Sequence, residues 1–336
     1  MQTALLYEKL SDNAVRCHTC QRNCYVALDK TGVCQRYKNR SGILYNLNYA
    51  KVSSVGIDPI EKKPLYHFHP GTLCFSLGSW GCNFNCPGCQ NWDIACAAGQ
   101  GVDGDEISPE ESVELAQKRH CQGIAWTYNE PTMWLEYSRD AARLARSAGL
   151  YTAYVTNGYI TAEALDAIGP YLQAWRVDIK GFSDKTYKQI TGIDRWQGIL
   201  EIASRAKHKW NMHLEVVTNI IPAVNDDYEQ LSGIADWITK ELGELTPWHV
   251  TRFYPQHKMT NLQVTPIETL ERAREIGNQA GLKFVYLGNI GAHPSANTLC
   301  YNCQELIVRR NGFQAEVLGL SGSRCQFCGT ELNFRI

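Results

Sequence analysis

From about residue 73 onward, short apolar runs alternate with amphipathic stretches. Runs over 73–80, 123–127, 151–156, 174–179, 212–218 and 248–253 read as strands, with a short further strand at 283–287. Stretches over 131–148, 161 onward, 226–242 and 266–280 repeat their apolar positions with helical spacing. Strand then helix, joined by short turns, predicts an α/β fold with a parallel sheet or barrel. Six such units are fewer than the eight of a closed barrel, so the expected form is a partial (β/α)6 barrel. Residues 41–72 read as short strands and a Pro-bearing connector, and residues 298–336 as a tail pinned by cysteines. No internal repeat or low-complexity stretch emerges. The division expected is 1–72, 73–290 and 291–336.

In parallel α/β architectures, active residues gather on the loops after the strand C-termini. Polar residues occupy those positions here. Cys82, Cys86 and Cys89 follow the first strand, and Tyr128, Asn129 and Glu130 follow the second. Thr156 and Asn157 follow the third, Asp178 and Lys180 end the fourth, and Arg252 ends the sixth. Arg252 is a candidate to clamp a substrate carboxylate or peptide carbonyl. His69, in the run Tyr66-His67-Phe68-His69 before the first strand, is a candidate to line a substrate mouth. Most of the histidines read as structural or solvated.

The cysteines sharpen this picture. Of 14, four form C-x2-C-x3-C-x9-C (Cys17, Cys20, Cys24, Cys34) and three form C-x3-C-x2-C (Cys82, Cys86, Cys89). Four more form C-x2-C-x21-C-x2-C (Cys300, Cys303, Cys325, Cys328). Three thiolates can hold three irons of a [4Fe–4S] cluster and leave one open, the alternative being a closed zinc or ferredoxin-type site with Cys74 or Cys96 as fourth ligand. The tail set reads as tetrahedral zinc. The N-terminal set suits zinc or a second [4Fe–4S] cluster, and spacing does not separate the two. Residues 1–40 carry seven Lys/Arg against three Asp/Glu and few apolar residues. That predicts a segment ordered by its metal.

Composition narrows the classes further. The 336 residues are 44% hydrophobic and 20% charged, enough to build a core, and the net charge is -1. Such a balance makes no case for nucleic acid or an anionic membrane as partner. The tail arginines Arg309, Arg310 and Arg324 lack the aromatic platforms of a nucleic-acid ribbon. No apolar run approaches the ~18 residues of a membrane span, and no secretory signal is expected. Clustered cysteines in a cytoplasmic chain read as metal ligands or catalytic thiols.

The run GCNFNCPGCQNWDIA resembles the cysteine signature of the radical S-adenosylmethionine (radical SAM) enzymes. DPIEKKPLYHFHPGT, CQNWDIA, TYNEPT, VTNGYI, DIKGFS and RFYP together resemble the pyruvate formate-lyase activating enzyme-like branch, and within it the AmmeMemoRadiSam system proteins. The resemblance implies a [4Fe–4S] cluster on Cys82, Cys86 and Cys89, with S-adenosylmethionine (SAM) on the fourth iron. It implies reductive SAM cleavage to a 5′-deoxyadenosyl radical that abstracts hydrogen from a protein, peptide or small molecule. Tyr128, Asn129 and Glu130 would then serve the SAM amine, with Glu130 either accepting from it or fixing the turn. Thr156 and Asn157 match the family's Thr-Asn-Gly turn. Lys180 would pair with the SAM carboxylate, and Asp178 with ribose hydroxyls or a cation. A flavodoxin- or ferredoxin-like electron donor follows. One alternative is an activating enzyme for a glycyl-radical protein. Another, of a different class, is a non-catalytic metal-stabilised scaffold.

Overall fold

The computed structural model describes residues 1–96, 104–291 and 293–336. Eight strands form the main sheet: β1 (Ser54–Pro59), β2 (Leu73–Gly78), β3 (Gly123–Trp126), β4 (Tyr151–Thr156), β5 (Ala174–Asp178), β6 (His213–Ile220), β7 (Trp248–Arg252) and β8 (Val285–Gly288). Their order in the sheet follows the chain, β1 to β8. The pairs β2–β3, β3–β4, β6–β7 and β7–β8 are parallel. Helices stand between successive strands from β2 onward, which makes six β/α crossovers. The expected partial barrel is therefore the observed architecture.

The chain divides into two compact units. The first comprises Met1–Asp58, Cys74–Trp175 and Thr191–Met212; the second comprises Pro59–Leu73, Arg176–Ile190 and His213–Ile336.

In the first unit, β3 and β4 are buried almost throughout, which is why they read as continuous apolar runs. Gly123 opens β3 opposite Tyr151, where a Cβ would stand 2.0 Å from the Tyr151 ring. The helix Pro109–Lys118 starts at a reciprocal cap: Glu111 N–H donates to Ser108 Oγ at 3.1 Å, and Ser108 N–H to the Glu111 carboxylate at 2.7 Å. Thr161 caps Ala162–Ile168 by accepting from Ala164 N–H at 3.1 Å. The helix expected over 131–148 is split into a 3₁₀ turn, Pro131–Trp134, and an α-helix, Leu135–Ser147. Strand β2 stops at Gly78, short of the expected residue 80. Beyond it, Ser79 N–H bonds the Asn129 side chain.

The N-terminal segment departs from expectation. It has a core of its own, built from Ala4, Val15, Cys17, Val26, Tyr37 and Leu44. The buried Glu136 carboxylate, on helix Leu135–Ser147, fastens it. Glu136 accepts from Leu5 N–H at 2.9 Å, Tyr37 OH at 2.9 Å and Asn46 Nδ2 at 2.6 Å. Packing and a buried hydrogen-bond network thus hold the segment alongside any metal.

In the second unit, Glu215 on β6 is fully buried. Its carboxylate accepts from Tyr66 N–H (3.0 Å) and His67 N–H (2.7 Å). It also faces Nε2 of His213 (2.9 Å) and of His249 (2.6 Å). Burial opposes its ionisation, yet the histidine hydrogen bonds hold Glu215 well below the usual carboxylate range. His67, with Nε2 against Tyr286 OH at 2.7 Å, is pushed down to about 3 by burial.

These groups set the acid response. A carboxylate depressed in the fold contributes stability above its unfolded value, lost as pH falls through the folded one. An imidazole kept neutral by burial costs stability once the unfolded chain can protonate it, below about pH 6.5. The thermal midpoint should therefore decline below about pH 6.5 and decline further below about 4.5. Glu215→Ala should cost about 3–5 kcal/mol by stranding two backbone N–H groups and two histidines. A loss under about 1 kcal/mol in chemical unfolding at pH 7 would contradict this network's role.

Candidate active site

The loop after β2 carries Cys82, Cys86 and Cys89, each half-buried and unbridged. Its geometry is set from outside the loop. Asn129 places its Oδ1 3.0 Å from Ser79 N–H and donates through Nδ2 to the Gly81 carbonyl at 2.9 Å. Asn157 donates through Nδ2 to Asn83 Oδ1 at 2.7 Å and lies 3.7 Å from Cys82 Sγ. Its own Oδ1 accepts from Tyr159 N–H at 2.9 Å. Asn83 Nδ2 donates to the Tyr159 carbonyl at 3.3 Å, and Phe84 N–H points at Cys82 Sγ at 3.4 Å. The turns after β3 and β4 thus brace the cysteine loop after β2.

Glu130 locks those two turns to each other. It is 3% exposed. Oε1 accepts from Thr132 N–H (3.1 Å), Thr132 OH (2.5 Å) and Thr156 OH (2.7 Å), and Oε2 accepts from Asn157 N–H (2.8 Å). Burial raises its pKa against the pull of these donors. Three donors crowd Oε1, and Oε2 takes one. Of the two roles read from the sequence, the observed contacts are those of fixing the turn.

Tyr128 sits at φ 73°, a left-handed conformation uncommon outside glycine. It is held at both ends: its OH donates to Asp58 at 2.8 Å, and its carbonyl accepts from Asn91 Nδ2 at 2.7 Å. A Cβ at Gly56 would stand 2.4 Å from that hydroxyl. Neither Asp58 nor Asn91 was singled out in the sequence, where nothing in periodicity marks a distant side chain bracing a turn.

The electrostatics of the triad fit a cationic cluster. Burial pushes the Cys82 thiol well up, and Glu130, Cys86 and Cys89 push it the same way. Three thiolates beside a buried carboxylate need positive charge among them, which iron supplies. The Asn157 amide and the Phe84 N–H suit a thiolate ligand better than a thiol.

In the second unit, Asp178 ends β5 and carries two cations. Arg176 Nη1 lies 2.5 Å from one oxygen and Lys180 Nζ 2.9 Å from the other. Residues 176, 178 and 180 alternate along an extended segment, so their side chains share a face. Burial resists ionisation, but Arg176 and Lys180 keep the Asp178 carboxyl below its ordinary range. Arg176 was not among the sequence candidates; the two-residue period of a strand end would have found it. The Lys180 carbonyl accepts from Asn225 Nδ2 at 2.8 Å. Arg252 donates through Nε to the Thr265 carbonyl at 2.7 Å and lies over the Tyr254 ring at 5.5 Å. His69 is placed elsewhere: it neighbours His213, the first residue of β6. Arg252 by contrast pairs with Ile220 at the far end of β6. The placement of His69 is therefore at the opposite strand end from the loops that carry the other candidates of this unit.

The tail cysteines Cys300, Cys303, Cys325 and Cys328 have sulfurs all within 4.8 Å of one another. Cys300 and Cys328 are 3.6 Å apart and Cys303 and Cys325 3.7 Å. Zinc–sulfur bonds of about 2.3 Å in a tetrahedron space sulfurs by about 3.8 Å, so this group can hold a metal ion. Thr330 and the Asn302 amide pull the Cys328 thiol down to about 6.

Known proteins bear on this arrangement. The Radical SAM superfamily model matches residues 79–238. Over 335 residues the chain is 42% identical to the uncharacterized protein MJ0808 of Methanocaldococcus jannaschii, covering 99% of each. It is 23% identical over 225 residues to the pyruvate formate-lyase 1-activating enzyme of Escherichia coli, covering 61% of this chain and 89% of that one. A solved radical SAM methyltransferase from Sphaerobacter thermophilus has a similar fold, with TM-score 0.52 at 14% identity, over 67% of this chain and 68% of that one. The stretch that matches the Radical SAM superfamily, residues 79–238, takes in the triad of cysteines and the turns that brace it.

Proposed function

We propose that this protein is a radical SAM oxidoreductase of the pyruvate formate-lyase activating enzyme-like branch, in the AmmeMemoRadiSam subgroup. The observation that carries the reading is the three-cysteine loop, braced by Asn129 and Asn157 on turns that Glu130 locks together. A [4Fe–4S] cluster held by these cysteines would supply, when bound with SAM and reduced, the one-electron chemistry that turns SAM into methionine and a hydrogen-abstracting 5′-deoxyadenosyl radical.

This chain's residues do the rest. Cys82, Cys86 and Cys89 bind three irons. Glu130, Thr156 and Asn157 hold the turns that face the cluster, and Tyr128 and Asn129 shape the approach to it. Asp178 serves the ribose hydroxyls, and Lys180 the SAM carboxylate. Arg252 remains a candidate for a substrate carbonyl. The substrate is a protein, peptide or small molecule. The electron donor is flavodoxin- or ferredoxin-like. The tail thiols bind structural zinc. All 14 cysteines are unbridged, as befits a reducing cytoplasm. Among the described residues no helix is long and apolar enough to cross a membrane.

A second reading, activation of a glycyl-radical protein, is favoured by the names of two relatives. These are the pyruvate formate-lyase 1-activating enzyme above and an isethionate sulfite-lyase activating enzyme of Nitratidesulfovibrio vulgaris, 28% identical over half of this chain and 54% of that one. A non-catalytic scaffold would have no use for a buried carboxylate bracing an open cysteine loop.

Under anaerobic conditions with dithionite, the wild-type chain should convert SAM to 5′-deoxyadenosine and methionine. The triple variant Cys82→Ala, Cys86→Ala, Cys89→Ala should not, and cleavage that survives it would defeat the enzyme reading. Glu130→Gln turns an NH2 toward a donor and loosens the brace. The turnover rate should fall about 10- to 100-fold while SAM affinity changes less than about threefold. A loss of affinity at unchanged turnover would instead make Glu130 a direct partner of the SAM amine. Cys303→Ala should remove about one zinc per chain; unchanged zinc content would exclude the tail as its site.

A further inference from the structure

Charge at the end of β5 exceeds what the proposed contacts with SAM require. Asp178 is assigned there to ribose hydroxyls and Lys180 to the SAM carboxylate, yet the two are paired with each other. Lys180 Nζ lies 2.9 Å from Asp178 Oδ2. Arg176 takes the other oxygen, with Nη1 2.5 Å from Oδ1. The side chains of Arg176, Asp178 and Lys180 are 12%, 25% and 21% exposed, so water and salt screen the group only in part.

Arg176 is committed to this one carboxylate. Among the described residues Asp178 is the single hydrogen-bond partner of its side chain, and its Nε is buried and unpaired. A guanidinium has several N–H donors, and one that serves the fold spreads them over several acceptors. Arg310, in the same unit, does so. It donates to the carbonyls of Ala296 (3.0 Å) and Tyr66 (2.6 Å) and to Thr298 Oγ1 (2.8 Å). Arg176 has no such spread, so satisfying the barrel wall does not account for it.

Charge balance does account for it. An ammonium can donate to more than one acceptor, so Lys180 can keep Asp178 and still take a second carboxylate. That second carboxylate, brought in by a ligand, puts two anions on one cation, and each disfavours the ionised form of the other. Arg176 supplies the missing cation. With it, two carboxylates meet two cations, and Asp178 stays ionised as an acceptor. We propose that Arg176 is a positioning residue for SAM: it is the counter-ion of Asp178 that leaves the charge of Lys180 to the ligand's carboxylate. The inference rests on the assignment of Asp178 and Lys180 to SAM made above. Arg176 acts through those two residues and not by contact with the ligand.

The test is the affinity of two ligands for anaerobically purified full-length protein. S-adenosylhomocysteine carries an amino-acid arm with its carboxylate; 5′-methylthioadenosine has the same nucleoside without that arm. Arg176→Met should weaken S-adenosylhomocysteine by about tenfold or more and 5′-methylthioadenosine by less than about threefold. Arg176→Lys, which keeps the charge, should recover most of the loss. In the Asp178→Asn background the competing anion is gone. There Arg176→Met should cost less than about threefold for S-adenosylhomocysteine. Equal loss for both ligands, or equal loss in both backgrounds, would make Arg176 a structural residue and overturn the proposal. Unchanged binding of both ligands, or no recovery with Arg176→Lys, would overturn it too. Lys180→Met separates this failure from that of the underlying assignment. If it leaves S-adenosylhomocysteine bound as in wild type, Lys180 does not hold the carboxylate, and the proposal falls with that assignment.

Discussion

A single buried carboxylate carries the arrangement of the first unit. Glu130 gathers two N–H groups and two hydroxyls from the turns after β3 and β4. Taking such a group out of water costs several kcal/mol. Hydrogen bonds to a charged acceptor contribute about 1.5–3 kcal/mol each, so only a full complement offsets that cost. The consequence is rigidity: neither turn can move without leaving a buried charge short of a donor. Asn129 and Asn157 ride on those turns, and their amides hold the Gly81 carbonyl and the Asn83 side chain on either side of Cys82. A radical intermediate needs such a frame, since misplacement by about 1 Å can cost a hundredfold in rate.

The three cysteine sets differ in what surrounds them. The tail thiols close on one another at 3.6 and 3.7 Å, with Thr330 and Asn302 donors stabilising thiolate at Cys328. On the triad's loop, burial and Glu130 both raise Cys82. Cys17, Cys20 and Cys34 likewise rise by burial, Cys17 to about 12, with Cys34 and Cys24 adding repulsion there.

Much of this was legible in the residues. Strand β4 begins and ends where its apolar run does, because a strand buried on both faces leaves little ambiguity. The rim loops followed from strand ends. Spacing alone marked the triad and the tail. Long-range contacts were not legible. That Asn129 reaches back to Gly81, that Glu136 fastens the N-terminal segment, and that Arg22 meets Asn83 each depend on residues about 50 to 130 positions apart. Local patterning says nothing of such pairs. His69 shows the converse: proximity to a strand in sequence did not tell which end of the strands it would occupy.

The central claim is that three thiolates hold a cluster with one iron left for SAM. The most direct measurement is the paramagnetic resonance spectrum of the dithionite-reduced protein, before and after SAM is added. Binding of the SAM amine and carboxylate at the open iron should change the signal that depends on Cys82, Cys86 and Cys89. A spectrum untouched by SAM at saturating concentration would mean that the fourth iron is already covered, and the account would fail.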